Sequence, residues 1–490
     1  METAFHARLT ALVQELQRQI QEEWNQALSN PHPDRLWQWE RSLFSQLMPV
    51  GSALVALYLE AVHAQPSWIV AGQQPPAGYR NKGWRWTWVT TLFGGRHRLA
   101  TPYAVVDRQG RRGRRRGVGK RGPAGSGCFP ALERLGCRAG ATPGLLGEVA
   151  SQLAWGPSQE VATQRLADRG IKLHPSSVRR LSYALADEGL KARQQALRQG
   201  RLPPGSADFD VNGKRVVVTF DGGRIRLRYP RKGRCRPSGY HGFEAPWKTP
   251  RLMVVYLIDA RGQAVRQEYP LYDGTLTSAT RLFELMHDYL QALQIDQAQQ
   301  VIFIADGAPE HWDYLAHLIE ALGLRPQQVV EVLDWAHAVE HLATVADQCA
   351  NWTAKQRRRW LQRQRTRLYQ GQLEALIDEL TLLARGRRAK AIHTEVEYFQ
   401  KHTARMRYQH FRKAHIPLGS GAVESAIRRV VNLRMKGPGI FWLEGNSERM
   451  LSLRCQLLSG RWHQFLHAVL FPDAKELTTM QSLPPCAVAA

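Results

Sequence analysis

Four short apolar runs organise the second half of the chain: "RVVVTFDGGRIRLR" from Arg215, "LMVVYLID" from Leu252, "VIFIADG" from Val301 and "VVEVLDWAH" from Val329. They are rich in β-branched residues and too short for buried helices, so each predicts a strand. Between the second and third lies "SATRLFELMHDYLQAL", and between the third and fourth "HWDYLAHLIEALG", both with helical spacing of apolar positions. Strands first, then strands alternating with helices, predict a mixed α/β sheet covered on both faces.

The first half reads differently. Residues up to about Val62 have helical periodicity, broken near "NPHPD", and "GYRNKGWRWTWVTTLFGGRHRLATPYAVV" has the aromatic and β-branched content of strands. In "PSQEVATQRLADRGIKLHPSSVRRLSYAL" a helix with Val161 and Leu166 inward, a turn at Gly170 and a second helix opening at Ser176 follow the grammar of a helix-turn-helix. Ser177, Arg179 and Arg180 fall on the outer face of the second helix, where DNA would be read. Any two helices joined by glycine share this pattern. The polar "KARQQALRQGRLPPGSADFDVNG" reads as a linker, residues 338 to about 416 as nearly all helical, and "GSGAVESAIRRVVNLRMK" as a glycine-led helix. The resulting divisions are 1–75 (helical), 76–140 (strand-rich and basic), 141–190 (helix-turn-helix-like), 191–212 (linker), 213–337 (sheet), 338–416 (helical), 417–470 (closing helices) and 471–490 (a loose tail).

Length and charge narrow the class. At 490 residues the chain exceeds one ordinary core. Its 67 Lys+Arg against 42 Asp+Glu give a net charge of +25, which points to a polyanionic partner. Membrane is the competing polyanion, but "LMPVGSALVALYLEAV" reads as too short to span and contains Glu60. The amphipathic, acid-bearing N-terminus does not read as a secretory signal. The six cysteines lack paired spacing, which favours free thiols in a reducing compartment, although Cys128 and Cys137 could be the remnant of a metal knuckle. The expectation is a cytoplasmic, nucleic-acid-facing protein. Eight of the fifteen residues Arg108 to Gly122 are basic. Among them Arg111, Arg112, Arg114, Arg115 and Arg116 suit both a solvated loop and an arm tracking phosphates.

Candidate chemistry sits where the strands end. Asp221 closes the first apolar run and Asp306 the third, 85 positions later (306 − 221); Glu424 follows after another 118 (424 − 306). Each has an ordinary explanation: Asp221 as a hairpin residue in "DGG", Asp306 as a cap of the helix starting near Pro309, and Glu424 as a partner of Arg428 one turn on. A capping box from Ser420 fits poorly, because Glu424 is four residues on rather than three. Taken together on one sheet, the three acids could share magnesium, which prefers hard carboxylates and keeps positions for water and phosphate. Two such ions serve an in-line displacement at phosphorus. Gly222 and Gly307 would let a backbone or phosphate pass beside the acids.

The segments "VTFDGG", "ADGAPEHW", "DWAHAVEHL", "GSGAVESAIRRVVNLRMKGPG" and "SGRW" resemble the DDE transposases of bacterial insertion sequences, in particular the Kra-type group allied to mutator-like elements. The resemblance runs from about Lys214 to Leu470, and more loosely from the helix-turn-helix onward. It implies a ribonuclease H-like catalytic domain interrupted by an all-helical insertion, with residues 338–416 resembling that insertion. It further implies Asp221, Asp306 and Glu424 as catalytic, metal-holding acids, Asp334 and His337 as an accessory pair, and magnesium as cofactor, with manganese able to substitute. A relative of this kind would carry a fuller cysteine set near its amino end than Cys128 and Cys137. Basic residues of the insertion, Arg357, Arg358 and Arg359, and of the final helix, Arg428, Arg434 and Lys436, become candidates for DNA-backbone contact. Trp335, Trp352 and Trp360 suit the core, or stacking on an unpaired base. The expected activity is cleavage of element ends and joining of their 3′ ends to target DNA. The alternatives are a domesticated DNA-binding protein that no longer cuts, or a nuclease that cuts without joining. The expected partner is double-stranded DNA, bound by a homodimer or larger assembly in the bacterial cytoplasm and nucleoid, with no membrane.

Overall fold

The computed structural model describes residues 2–29, 32–107, 127–231 and 242–472. They form two compact units, one comprising residues up to Glu188 together with those from Leu466, the other running Gly189–Phe465.

The first unit opens with helices α1 (Glu2–Ser29), α2 (Arg35–His63) and α3 (Pro66–Gln73). Strands β1 (Tyr79–Thr90) and β2 (Arg96–Val106) then pair antiparallel, with a bulge between Asn81 and Trp84, and short β3 (Gly127–Cys128) joins β2. Alternation gives this sheet one buried face. Val89 and Leu99 pack there against Leu59 of α2, Leu132 and Cys137, and His63 of α2 reaches Thr101 of β2 (3.1 Å). Pro49 does not end α2, which is therefore longer than the apolar run read from the sequence. By length and composition α2 is the one helix among the described residues that could cross a membrane, correcting the expectation that the run is too short. Helices α4 (Pro130–Arg134), α5 (Pro143–Trp155), α6 (Gln159–Asp168) and α7 (Pro175–Arg198) follow. Gly170, at φ +77°, makes the turn between α6 and α7 that the sequence foresaw. Ser158 caps α6, and that phase turns Ala162 inward with Leu166, leaving Val161 exposed, contrary to expectation. Residues 191–198, read as linker, continue α7.

The second unit is mixed α/β. Its sheet has the strand order β6-β5-β4-β7-β8, built from β4 (Arg215–Gly222), β5 (Arg251–Ile258), β6 (Leu271–Thr275), β7 (Gln300–Ala305) and β8 (Val329–Leu333). Strands β4, β7 and β8 run parallel, and β5 runs antiparallel to both of its neighbours. Val216, Val217, Val218, Val301, Ile302, Phe303 and Ile304 are fully buried, as a central strand covered on both faces requires. Helices α8 (Ala279–Ala292) and α9 (Pro309–Ala321) connect the strands, with Phe220 of β4 packed edge-on against Phe283 of α8 (5.0 Å).

From β8 the chain enters the helical segment predicted for residues 338–416: α10 (Trp335–Gln348), α11 (Ala354–Tyr369), α12 (Leu373–Leu383), α13 (Ala389–Lys401) and α14 (Tyr408–Lys413). It is anchored on the end of β8, where Tyr408 Oη donates to the Leu333 carbonyl (3.0 Å) and Arg405 pairs with Glu331 (2.6 Å). Helix α15 (Gly421–Ala426) then crosses β4 and β5 and runs through a π-helical stretch, Ile427–Asn432, into a last turn, Leu433–Met435. The wide stretch is held by α16 (Glu444–Leu458), whose Arg454 donates to the carbonyls of Arg429 and Val430.

Candidate active site

The two aspartates arise from neighbouring strands in one register. Arg215 lies opposite Gln300 and Thr219 opposite Ile304, an offset of 85 (300 − 215), so the same ladder carried two steps further sets Asp221 opposite Asp306 (306 − 221 = 85). Adjacent parallel strands lie about 4.8 Å apart. The sheet thus brings Asp221, in β4, and Asp306, the first residue after β7, to one edge.

Neither aspartate has the ordinary role weighed for it. Asp221 is inside the ladder, opposite Leu252 of β5, and is not a hairpin residue. Its Oδ1 accepts from the Gly222 amide (2.6 Å). The N-cap of α9 is Ala308, with Pro309 in the first turn, so Asp306 does not cap that helix. Instead, Asp306 Oδ1 accepts from the Ala308 amide (3.1 Å) and lies 2.7 Å from Nδ1 of His311, while its carbonyl accepts from Trp312 Nε1 (2.7 Å). His311 was not singled out in the sequence. Its signal was the Pro309 start of α9, which turns the fifth residue after Asp306 back toward the strand end.

Electrostatics separates the two acids. Burial holds the Asp221 carboxyl above its ordinary range, with the Asp306 charge adding to the rise and the Gly222 amide, His337 and His311 opposing it. Burial also raises Asp306, but the hydrogen bond and charge of His311, the Ala308 amide and His337 outweigh it, leaving that carboxyl below its ordinary range. His337, at the start of α10 and 3.4 Å from Glu340, is therefore within electrostatic reach of both.

Asp334 is a buried connector. It caps α10 by accepting from the His337 amide (3.0 Å), and its other oxygen accepts from the Ser420 amide. Ser420 opens α15, and its hydroxyl donates to Glu424 Oε1 (3.2 Å). One carboxylate thus ties the end of β8 to the helix bearing Glu424. Glu424 itself is exposed, and among the described residues it makes no ion pair with Arg428; the π-helical stretch begins between the two, at Ile427. Among the described residues no three His, Cys, Asp or Glu side chains gather closely enough to cage an ion unaided.

The glycines beside the acids make room for protein, not for an approaching phosphate. A Cβ on Gly222 would meet Thr249 Cγ2 at 2.6 Å, and one on Gly307 would enter the ring and hydroxyl of Tyr398. Tyr398, from α13, stacks on His341 (3.6 Å between centroids), and its buried hydroxyl has no hydrogen-bond partner. Burial, and then the Asp306 charge, push its phenol up.

The basic candidates divide. Arg111, Arg112, Arg114, Arg115 and Arg116 lie outside the described residues. Arg179 and Arg180 are exposed and Ser177 half-buried on α7, although Arg180 also donates to the Ala139 carbonyl (2.8 Å). Arg358 and Arg359 are exposed on α11, whereas Arg357 pairs with Asp347 (3.4 Å), and Arg363 and Arg367 are held by Glu379. Arg428 and Lys436 are exposed. Arg434 is buried, its guanidinium 5.2 Å from the Trp442 ring, so it is not a surface contact for DNA. Trp360 is core, with Nε1 donating to Glu379 (2.7 Å), and Trp335 and Trp352 are half-buried. Burial pushes the Cys128 thiol up to about 11 and that of Cys137 to about 12, which suits free thiols better than metal ligands.

No family model, curated protein or solved structure matches this chain.

Proposed function

We propose that the chain is a DNA transposase that binds the ends of a mobile element, cleaves phosphodiester bonds there and joins the freed 3′ ends to target DNA. The reading is carried by one observation: Asp221, in β4, and Asp306, directly after the parallel neighbour β7, stand at one end of the sheet, beside the helix of Glu424. The mixed sheet, followed by helices over residues 338–416 before that acid, agrees with a ribonuclease H-like core carrying an insertion. The charge of +25 suits DNA as substrate.

The donor set fits magnesium. The hydrogen bonds above use Oδ1 of each aspartate, leaving Oδ2 for a cation, and positive charge there would oppose the burial and the Asp306 charge that raise Asp221. Asp221 and Asp306 would hold the ion, with Glu424 the third acid. Magnesium needs only one or two carboxylates when water and phosphate complete its shell, so a preformed cage is not required. When bound, it neutralises charge on the scissile phosphate and acidifies the attacking water. The chain's own residues supply position. His311 orients Asp306 and favours its ionised form, Asp334 fixes the start of α15, and His337, within electrostatic reach of both aspartates, would donate to a phosphate oxygen.

The test is incubation of purified protein with labelled duplexes carrying candidate element ends, in magnesium, in manganese and with chelator. Metal-dependent nicks followed by joined products, absent for Glu424→Gln while DNA binding persists, support the proposal. Nicks that never proceed to joining favour the nuclease, and binding without cleavage in any metal favours the domesticated regulator.

A further inference from the structure

The hairpin of the first unit has one face inside and one outside. Val89 and Leu99 are buried against α2, and Thr101 meets His63. The opposite face carries Trp84, Trp86 and Trp88 of β1, which are 47%, 62% and 47% exposed. In register across from them lie Pro102, Ala100 and Arg98 of β2, with Arg96 opposite Thr90 at the end of the ladder. The guanidiniums of Arg98 and Arg96 lie over the rings of Trp86 and Trp88, each at 4.7 Å. Three exposed indoles in a row, two of them faced by arginine, are unusual on a protein surface and suit a contact site.

Spacing and charge identify the occupant. Alternate residues of a strand stand about 6.7 Å apart on one face, a repeat that suits successive bases of an extended strand better than the tight stack of a duplex. Paired bases hide their ring faces, so indole platforms are used by unpaired ones. Residues 79–106 contain five Arg or Lys (Arg80, Lys82, Arg85, Arg96 and Arg98) and no Asp or Glu. An Arg stacked on an indole keeps its N–H edge free for phosphate oxygens. A neutral proline-rich peptide would have no use for this charge.

We propose that the Trp84–Trp86–Trp88 face of the hairpin binds single-stranded DNA by stacking unpaired bases on the indoles, with Arg96 and Arg98 meeting the backbone. The choice of DNA over RNA rests on the transposase reading; the stacking surface itself does not. A strand opened at an element end is a substrate of this kind.

The test uses the full chain and a fluorescein-labelled oligothymidylate, with a duplex, an oligouridylate and phosphatidylglycerol vesicles as separate probes. Trp86→Ala should weaken oligothymidylate binding by at least about fivefold and leave duplex affinity unchanged, while Trp86→Phe, which keeps a ring, retains most of it. Asp221→Asn should bind oligothymidylate like wild type, so failure of the catalytic reading and failure of this one register separately. Wild-type affinity in the Trp84→Ala, Trp86→Ala, Trp88→Ala triple variant overturns the proposal. So do equal losses for Trp86→Phe and Trp86→Ala, tighter binding of oligouridylate, or a tryptophan dependence confined to vesicles.

Discussion

Asp306 directly follows the strand that runs parallel beside that of Asp221, yet burial raises the carboxyl of Asp221 while His311 holds that of Asp306 down. Two like groups so close are pushed apart in acidity when only one is hydrogen-bonded by an imidazole, a common signature of functional carboxylates. On this account Asp306 is ionised at any working pH, and the acid side of the activity profile belongs to Asp221.

His311 supplies the main force opposing burial at Asp306. In His311→Ala burial is left less opposed, the Asp306 carboxyl rises, and ionisation requires higher pH. The acid limb of the cleavage–pH profile should therefore move to higher pH, with the larger loss at its acid end. The stability that His311 gives by depressing Asp306 is present above the unfolded-state carboxyl range and lost as pH falls through the folded one. Urea titrations of wild type and variant should accordingly converge at low pH. A profile that merely scales down at all pH values would contradict this role.

Asp334 is expected to act through Glu424 as well as through the fold. In Asp334→Ala the buried amides of His337 and Ser420 lose their acceptor, at a cost of about 1–3 kcal/mol each. Asp334→Asn keeps one acceptor oxygen and should recover most of the stability in urea unfolding, while cleavage stays impaired because α15 is no longer pinned from both sides. Full activity in a stable Asp334→Asn protein would remove the positioning role.

Gly307→Ala places a methyl group in the Tyr398 ring. The expected loss is about 1–3 kcal/mol, as for other overpacked sites. Adding Tyr398→Ala vacates the space, so the double variant should be less destabilised than the sum of the singles, by roughly 0.5–3 kcal/mol for residues in contact. Additive effects in a double-mutant cycle would show that the two do not share space.

Arg358 and Arg359 on α11 are free of the Glu379 pairings that hold Arg363 and Arg367. Replacing both with Ala should reduce the steepness of the salt dependence of duplex affinity by about 2, roughly one per phosphate contact. Arg434→Ala should lower stability through lost packing on Trp442 and leave that slope unchanged.

Much of the second unit was legible because its central strands are extreme. A run such as "VIFIA" has no polar side to expose, so it could only be a strand covered on both faces, and an acid at its end stood out. β6 escaped the reading because "LYDGT" carries Asp273 and Gly274. Asp273 is tolerated inside by Arg193 (2.6 Å) and Tyr289, partners remote in sequence. Arg434 looked like a surface charge because nothing local reveals Trp442, eight positions on, folding back beneath it (442 − 434). The glycines at 222 and 307 were conspicuous for their position, but what they admit, Thr249 and Tyr398, depends on elements that sequence order does not bring together. The outward tryptophans of β1 were legible as strand residues, while their exposure required the α2 packing to be known.

The most direct test is manganese binding followed by electron paramagnetic resonance, with duplex DNA present, in wild type, Asp221→Asn and Asp306→Asn. The account predicts bound manganese in wild type, displaced by magnesium, and a loss of affinity of at least roughly tenfold in each variant with DNA binding intact. Wild-type manganese affinity in both variants would contradict the claim that these two strand ends form the metal site.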